Sequence, residues 1–573
     1  MARRTHRLTW RLLFLMLALV LSAGGIVVRL VQIQIVDHDY YAQQAEDEHL
    51  HRTLIRAPRG AILDRNGYPL ATTVTAFDVY IDPRSWSDDA NALAGAAVLA
   101  PLLNREPADL IAAARAQEQG DYLAARSLNA AAGLRMLELA PPGVKAVETS
   151  RRFYPEGDLA SGLLGFIGRD QVGLAGIEAD FDQELGGIAT EVYFELDALG
   201  NPIPFGKRLG EDPVPGGDVR LTIDRYLQGL VEEKLDDEVR RHKAAGGTII
   251  VMDPYTGEIL AMANRPSFRL SELDLEDESQ AQLYRNRSVT DVYAPGSVMK
   301  TLTMAAAIDA GLVTPGTTYY DSGFAEVEGT APIRNWDFSV HGITTMTELL
   351  QFSLNTGAVW LTSVLGPDLF YEYVGRFGFT EPTYVGLGGE SEGLVRTHND
   401  EGWYPIDLAT NSFGQGISVT PLHMITAASA LVNGGLLMRP YIVKEVAGPD
   451  GGRLFEPVVV RRAVSEETSQ TLVEMMRAVV DGVPGHLAQV PGYQVGGKTG
   501  TTTFVDRPDT IASFVGFAPA EDPRFIMLVK IDSPKDSPWG GVVAAPIFSD
   551  LVPELLTYLG ARPDGEALVE GGP

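Results

Sequence analysis

A run of 17 uncharged residues, LLFLMLALVLSAGGIVV, begins at Leu12, directly after Arg3, Arg4, Arg7 and Arg11. Arg29 interrupts it, and LVQIQIV continues the apolar pattern. A helix needs about 20 apolar residues to span a bilayer. Residues 12 to 34 suffice if Arg29 extends its guanidinium to the outer interface. The next stretch, DHDYYAQQAEDEHL, is acidic, and basic before acidic keeps the N-terminus in the cytoplasm. A cleaved signal peptide is the competing reading, since LSAGG could be cut. The apolar pattern runs on past that point, which favours an uncleaved anchor. The expected layout is a cytoplasmic tail, 1–11, a single-pass anchor in the cell membrane, 12–34, and an extracytoplasmic remainder of about 540 residues, enough for two or more domains.

The composition of that remainder narrows its partners. The formal net charge is −29. Phosphate binding needs a basic face, so nucleic acid is not an expected partner. Cysteine is absent, which removes disulfides, thiolate metal sites and thiol catalysis together. The nine histidines are scattered and no H-E-x-x-H occurs, so neither a metal nor another cofactor is expected. The acidic run DLEDES, 274–279, reads as a solvated loop.

Residues 37 to about 215 form one expected region. RTLIRAPRGAILDRNGYPLATTVTAFDVYIDP alternates short apolar runs with turn signals such as Asn66-Gly67, which predicts strands. Residues 89 to 140 are rich in Ala and Leu at helical spacing. YFELDALGNPIP returns to strand and turn. The Pro- and Gly-rich EDPVPGGD marks a boundary, so a second region runs from 216 to 560. There Asp224 caps an amphipathic helix, RYLQGLVEEKLDDEVRRHK. GGTIIVMDPYTGEILAMAN predicts two antiparallel strands joined at Pro254-Tyr255-Thr256-Gly257. Helices are expected to dominate from 297 to 435. Strands return at YQVGGKTGTT, IASFVGFAP and RFIMLVKID, before a last helix, AAPIFSDLVPELLTYLG. Strands, a helical block and strands again predict an α+β fold with an antiparallel sheet flanked by helices. The tail 561–573 is expected to be disordered.

The chemistry starts at YAPGSVMKTLT, where Ser297 and Lys300 stand three residues apart at the head of a predicted helix. Residues i and i+3 share a helix face. A desolvated, neutral lysine there can take the proton of a serine hydroxyl and make it a nucleophile. Taken alone, the pair fits a capping serine and a surface lysine better, because S-x-x-K is a weak pattern. Two observations shift that balance. Only nine of the 46 basic residues are lysine, and Ser297 is the only serine with lysine at i+3. Arginine cannot give up its proton, whereas lysine can. The second observation is company: LQFSLNTGAVW supplies Ser353 and Asn355, and QVGGKTGTT supplies Lys498, Thr499, Gly500 and Thr501 on a predicted strand. Each alone reads as a helix cap or a strand end. All three in this order are hard to assign to chance. Gly496, Gly497 and Gly500 are expected to leave the strand's face open to close backbone approach.

The set S-x-x-K, S-x-N, K-T-G resembles the penicillin-binding proteins and serine β-lactamases. The resemblance covers roughly residues 1 to 560. RGAILDRNGYPLA, RRFYPEGDLASGLLGFIG and GLAGIEADFDQEL are similar to the three pedestal motifs of class B, monofunctional penicillin-binding proteins. MDPYTGEILAMANRPSF, GQGISVTPL and SFVGFAP are similar to signatures of the transpeptidase domain. Two departures stand out: Leu354 as the middle residue of S-x-N, and DGVPGHLAQVPGY, which lacks an expected Gly-Thr-Ala.

The resemblance implies an elongated mixed α/β pedestal of the dimerisation type, 35–215, and a transpeptidase domain, 216–560, like a serine β-lactamase in fold. It implies a DD-transpeptidase that cross-links peptidoglycan stem peptides ending in D-Ala-D-Ala and is acylated by β-lactams. Ser297 would be the nucleophile and Lys300 its base. Ser353 would relay a proton, Asn355 would hold the peptide amide, and Lys498 would supply positive potential. Thr499 and Thr501, beside Gly500, would bind the substrate carboxylate. No glycosyltransferase module precedes the pedestal, so a bifunctional enzyme is not expected; the partners implied by the class are a polytopic membrane glycosyltransferase and other divisome proteins. GQGISVTPL and the compact length lean toward a division role, with elongation as the alternative. A β-lactam sensor and a β-lactamase are the competing functions. A sensor would need an intracellular effector, and only about ten residues precede the span. A β-lactamase would need an activated deacylating water.

Overall fold

The computed structural model describes residues 2–41, 50–195, 208–273, 277–448, 451–503 and 509–563. Most of the tail expected to be disordered, the first half of DLEDES, and all of YFELDALGNPIP after Glu195 lie outside the described residues. The chain divides into two compact units, Met1–Pro58 with Gly187–Pro215, and Arg59–Gly186 with Gly216–Pro573.

In the first unit a helix runs Ala2–Val31 and continues as a π-helical turn, Gln32–Val36. Residues Trp10–Val36 are apolar over 27 residues and none of that stretch is buried within the protein. Such a helix is about 40 Å long, sufficient for a bilayer. The same unit holds a three-stranded sheet of Leu50–Ile55, Thr190–Glu195 and Arg208–Leu209.

The second unit begins with the stretches that resemble pedestal motifs. Pro69–Ile81 is its long strand, pairing antiparallel with Val144–Phe153 and with Tyr122–Asn129. The last pairing differs from the helical expectation for 89 to 140. Helices do form at Asp89–Leu103, Pro107–Ala116 and Ala130–Leu139. Between them YLAARSLN is drawn into the sheet, because pairing at a free strand edge outweighs intrinsic helix propensity, even that of strong helix formers such as Ala and Leu. Three motifs meet in one buried ion cluster. Glu178, wholly buried, accepts from Arg59 Nε and from Arg152 Nε, each at 2.6 Å.

The rest of the unit is built around one sheet. We label its parts α1 (Arg225–Arg241), β1 (Gly246–Met252), β2 (Ile259–Arg265), α2 (Met299–Asp309), β3 (Thr318–Asp321), β4 (Gly342–Thr345), α3 (Met346–Phe352), α4 (Asn355–Arg376), α5 (Glu466–Asp481), β5 (Gly496–Thr503), β6 (Thr510–Ala518), β7 (Phe525–Asp532) and α6 (Gly540–Tyr558). The sheet order is β2-β1-β7-β6-β5, antiparallel throughout. Asp224 caps α1 as expected, accepting from the backbone of Tyr226 and Leu227. Helices α1 and α6 cover one face, and the helical block between 297 and 435 covers the other. Along β6, Phe514 joins the core under α1 and α6, while Val515 and Phe517 join the core of the helical block. Burial of both faces explains why FIMLVKID reads as a continuous apolar run rather than an alternation. α6 is apolar enough to span a membrane but is more than half buried, so it serves as a core helix.

The helical block contains a region not legible as helix. Residues 318 to 345 form two small antiparallel pairs, β3 with β4, and Phe324–Ala325 with Ile333–Arg334. β5 is the edge strand of the main sheet, and its free edge is where the site assembles.

Candidate active site

Ser297 lies in a single 3-10 turn, Gly296–Val298, that feeds α2. The turn is clamped from two sides. The Gly296 N–H donates to Gly414 O at 2.9 Å, and the Thr502 hydroxyl of β5 donates to Ala294 O at 2.7 Å. Tyr293 and Val419 exchange both backbone hydrogen bonds at 2.9 Å. Gly296 has φ +59°, and a Cβ there would lie 2.7 Å from Thr502 Oγ1. Only glycine takes this conformation in this space without strain. GQGISVTPL, noted in the sequence only as similar to a transpeptidase signature, thus supplies a wall that positions the serine.

Lys300 is one turn further along α2 and its side chain is fully buried. Its Nζ donates to Ser353 O at 2.6 Å, to Asn355 Oδ1 at 2.7 Å and, more weakly, to Ser353 Oγ at 3.3 Å. Ser297 is not among its acceptors in the described structure. The i, i+3 spacing puts both side chains on one face, but two amide carbonyls outcompete a hydroxyl for the ammonium. Burial first, and then the neighbouring Lys498, push Lys300 well below the ordinary lysine value.

The SLN segment is not a serine N-cap. Ser353 is the C-cap of α3, in the left-handed region at φ 56°, and Leu354 precedes α4. Leu354 is wholly buried in the core, so the unusual middle residue acts as a packing pin between the two helices. Asn355 opens α4. Its Nδ2 donates to Arg334 O at 2.9 Å while its Oδ1 receives Lys300.

Lys498, on β5, is also buried and donates to Ser353 Oγ at 3.0 Å and to Thr499 O and Oγ1 at 3.3 Å. Burial lowers its pKa to about 7. Thr501 Oγ1 accepts the Gly540 N–H at 3.0 Å, which fixes the start of α6 against β5. The glycines of GGKTG serve close packing from within. A Cβ on Gly496 would strike the Phe517 ring, one on Gly497 the Phe514 ring, and one on Gly500 would sit 2.8 Å from Pro295 O. The loop that lacks Gly-Thr-Ala is ordered around His486, whose Nδ1 accepts the Ala488 N–H at 3.1 Å. Burial, and then Lys498, push this imidazole down to about 4.

The structure therefore brings Ser353, Asn355, Lys300 and Lys498 into one hydrogen-bonded cluster, with Ser297 and the Thr499–Thr501 edge beside it. Two tryptophans not singled out in the sequence stand near it. Trp336 and Trp539 meet edge to face at 5.4 Å, each about half exposed. Trp539 precedes Gly540, and Trp336 follows the Arg334-Asn335 pair that holds α4. Nothing but their position in space marks them. Among the described residues, no group of three His, Asp or Glu side chains is placed to hold a metal ion.

Comparison with known proteins agrees with this architecture. Residues 247–553 match the penicillin-binding protein transpeptidase domain, and residues 54–221 match the penicillin-binding protein dimerisation domain. Stage V sporulation protein D of Bacillus subtilis is 36% identical over 96% of this chain and 86% of its own length. The peptidoglycan D,D-transpeptidase FtsI of Escherichia coli is 31% identical over 97% of this chain and 93% of its own. Among solved structures, penicillin-binding protein 2X of Streptococcus thermophilus superposes with a TM-score of 0.75 at 26% identity, covering 89% of this chain and 81% of that one. Penicillin-binding protein 3 of Mycobacterium tuberculosis, solved in complex with aztreonam, gives 0.68 at 27% identity, covering 91% and 100%.

Proposed function

The chain belongs to the class B penicillin-binding proteins, which join a dimerisation domain to a transpeptidase domain, and from that premise we propose how its site works and where. It is a serine-type peptidoglycan D,D-transpeptidase. Ser297 Oγ attacks the carbonyl carbon of the penultimate D-Ala of a stem peptide and gives its proton to neutral Lys300. The bond to the terminal D-Ala breaks, Ser353 delivers a proton to the leaving amine, and D-Ala departs. An amine of a neighbouring stem peptide then attacks the acyl-enzyme, restoring Ser297 and forming the cross-link. Asn355 holds the peptide amide. Lys498, Thr499 and Thr501 hold the terminal carboxylate, and Gly500 lets the Ser297 loop approach β5. The backbone N–H groups of Ser297 and Thr501 stabilise the oxyanion, each worth about 3 kcal/mol. β-Lactams enter as mimics of D-Ala-D-Ala.

The observation that carries this reading is Ser353 Oγ, poised between two buried lysines, 3.3 Å from Lys300 Nζ and 3.0 Å from Lys498 Nζ. A hydroxyl in contact with the proposed base supports a proton relay from Lys300 through Ser353 to the leaving amine. Labelling the purified protein with fluorescent penicillin and mapping the modified peptide is expected to find the adduct on Ser297. An adduct on any other residue would overturn the assignment.

The same proposal covers domain limits, topology and role. The domains are a cytoplasmic tail, 1–11, an anchor, 12–34, a pedestal, 35–215, and a catalytic domain, 216–560, lying outside the membrane. Support comes from the exposed apolar helix, the basic residues before it and the acidic ones after it. The role is division, in company with a polytopic membrane glycosyltransferase that meets the anchor and pedestal. A tagged copy in whole cells, treated with a membrane-impermeant fluorescent β-lactam, is expected to be labelled from outside and to gather at the division site. Labelling only after lysis would sink the topology, and a signal spread along the side wall would favour elongation.

A further inference from the structure

The β3–β4 region carries none of the three motifs, yet it reaches the site from behind. Asp321 ends β3, and its side chain is fully buried. Its carboxylate accepts from Gly323 N at 3.0 Å, from His341 N at 2.9 Å, from the Thr356 hydroxyl at 2.8 Å and from Asn335 Nδ2 at 2.9 and 3.1 Å. Burial alone would raise its pKa; these hydrogen bonds hold it below the ordinary carboxylate value, so it stays charged.

Asn335, itself buried, passes the constraint on. Helix α4 starts at Asn355 after Leu354, which has no side-chain oxygen to cap the first-turn N–H groups. Asn335 Oδ1 does this in its place, accepting the Thr356 N–H at 3.2 Å from 21 residues away. The residue before it, Arg334, offers its carbonyl to Asn355 Nδ2 at 2.9 Å. A carbonyl oxygen only accepts, so Asn355 must turn its Nδ2 toward Arg334 O, whatever the charge of Lys300. Between Arg334 O and Lys300 Nζ, the Asn355 amide therefore has one satisfied orientation, with Oδ1 toward Lys300 at 2.7 Å.

We propose that Asp321 is a positioning residue of the transpeptidation site, acting through Asn335 and the Arg334 carbonyl to fix the Asn355 amide and, through it, the Lys300 amine. The proposal rests on the reading of Ser297, Lys300 and Asn355 given above. Asp321→Asn keeps the shape but turns an amide N–H₂ toward donors. Asn335→Ala cuts the same link without placing a polar group in the core.

The test is the rate constant of acylation by one penicillin at saturating drug, measured on folded protein at 25 °C. Each substitution is expected to slow acylation on the order of 10²-fold, the cost of displacing a reacting group by about 1 Å. The decisive readout is the same pair of substitutions in an Asn355→Ala background. There each is expected to change the rate by less than about twofold, because residues acting along one chain of contacts are not additive. A general weakening of the fold would instead multiply with Asn355→Ala, and that outcome overturns the proposal. Unchanged rates for both single variants overturn it too. Should Asp321→Asn not fold, Asn335→Ala carries the test alone. An unaltered protein that penicillin does not acylate at Ser297 would overturn the functional reading and this inference together; normal acylation of it with no effect of either variant would overturn the inference only.

Discussion

Lys300→Arg is expected to slow acylation by a β-lactam ~10²–10⁴-fold, about 3–5 kcal/mol in barrier, whereas Lys498→Arg keeps measurable activity. The two lysines are both buried and meet at one hydroxyl, Ser353 Oγ, 53 residues after Lys300 and 145 before Lys498, but the proposed chemistry asks different things of them. Lys300 must be neutral to receive the Ser297 proton, and arginine never is. Lys498 must be charged to hold a carboxylate, and arginine always is. The pH profile separates them further. Lys498 titrates at about 7, and burial first, then Lys498, push Lys300 well below the ordinary lysine value. Acylation by the unaltered protein is therefore expected to rise as Lys300 deprotonates and to fall above about 7 as Lys498 does. Lys498→Arg should abolish the fall, because its guanidinium stays protonated. Equal rates for the two arginine variants, measured as second-order acylation across pH, would remove Lys300 as the base.

A second large effect is expected far from the chemistry. Glu178→Ala should cost about 3–5 kcal/mol of stability, since it leaves two buried guanidinium groups facing each other without their shared counter-charge. Arg59 and Arg152 are about as buried as Glu178, and Arg59 also donates to the Glu178 backbone carbonyl at 2.6 Å. The same principle makes the triple replacement by apolar residues of similar volume far milder than the single one. Denaturant unfolding followed by a probe in residues 59–186 checks both. A Glu178→Ala midpoint indistinguishable from that of the unaltered protein would show that the cluster does not hold the three stretches together.

The candidate site was more legible in the sequence than the residues packed around it. Ser297, Lys300, Ser353, Asn355 and Lys498 announced themselves because S-x-x-K, S-x-N and K-T-G are short, local patterns on a lysine-poor background. β1, β2, β6 and β7 were legible as apolar runs bounded by turns. What could not be read was anything made by contact across the chain. YLAARSLN carries helix-forming residues and becomes a strand only because Pro69–Ile81 offers it an edge. The Asp321-Asn335-Thr356 network joins residues that look like ordinary turn formers. The direction of the Lys300 ammonium depended on carbonyls 53 and 55 residues away. Ser353 looked like a helix start and is a helix end, because the break between α3 and α4 is set by where Leu354 finds its place in the core.

The burial of Lys498 sets the scaffold against its own cargo. An unfolded chain keeps a lysine proton up to about 10.4, whereas the folded chain releases this one at about 7. Between those values the unfolded state binds more protons, so the fold gains stability as pH rises, and the full penalty is present below about 7. Lys300, shifted in the same direction by burial and by Lys498, adds to it. An apolar side chain at either position would relieve this and give a sturdier, inert protein. Random substitution filtered for robustness alone would erase both ammonium groups. In a chain with 37 arginines and nine lysines, these are two lysines whose burial costs the fold stability and which the proposed chemistry requires.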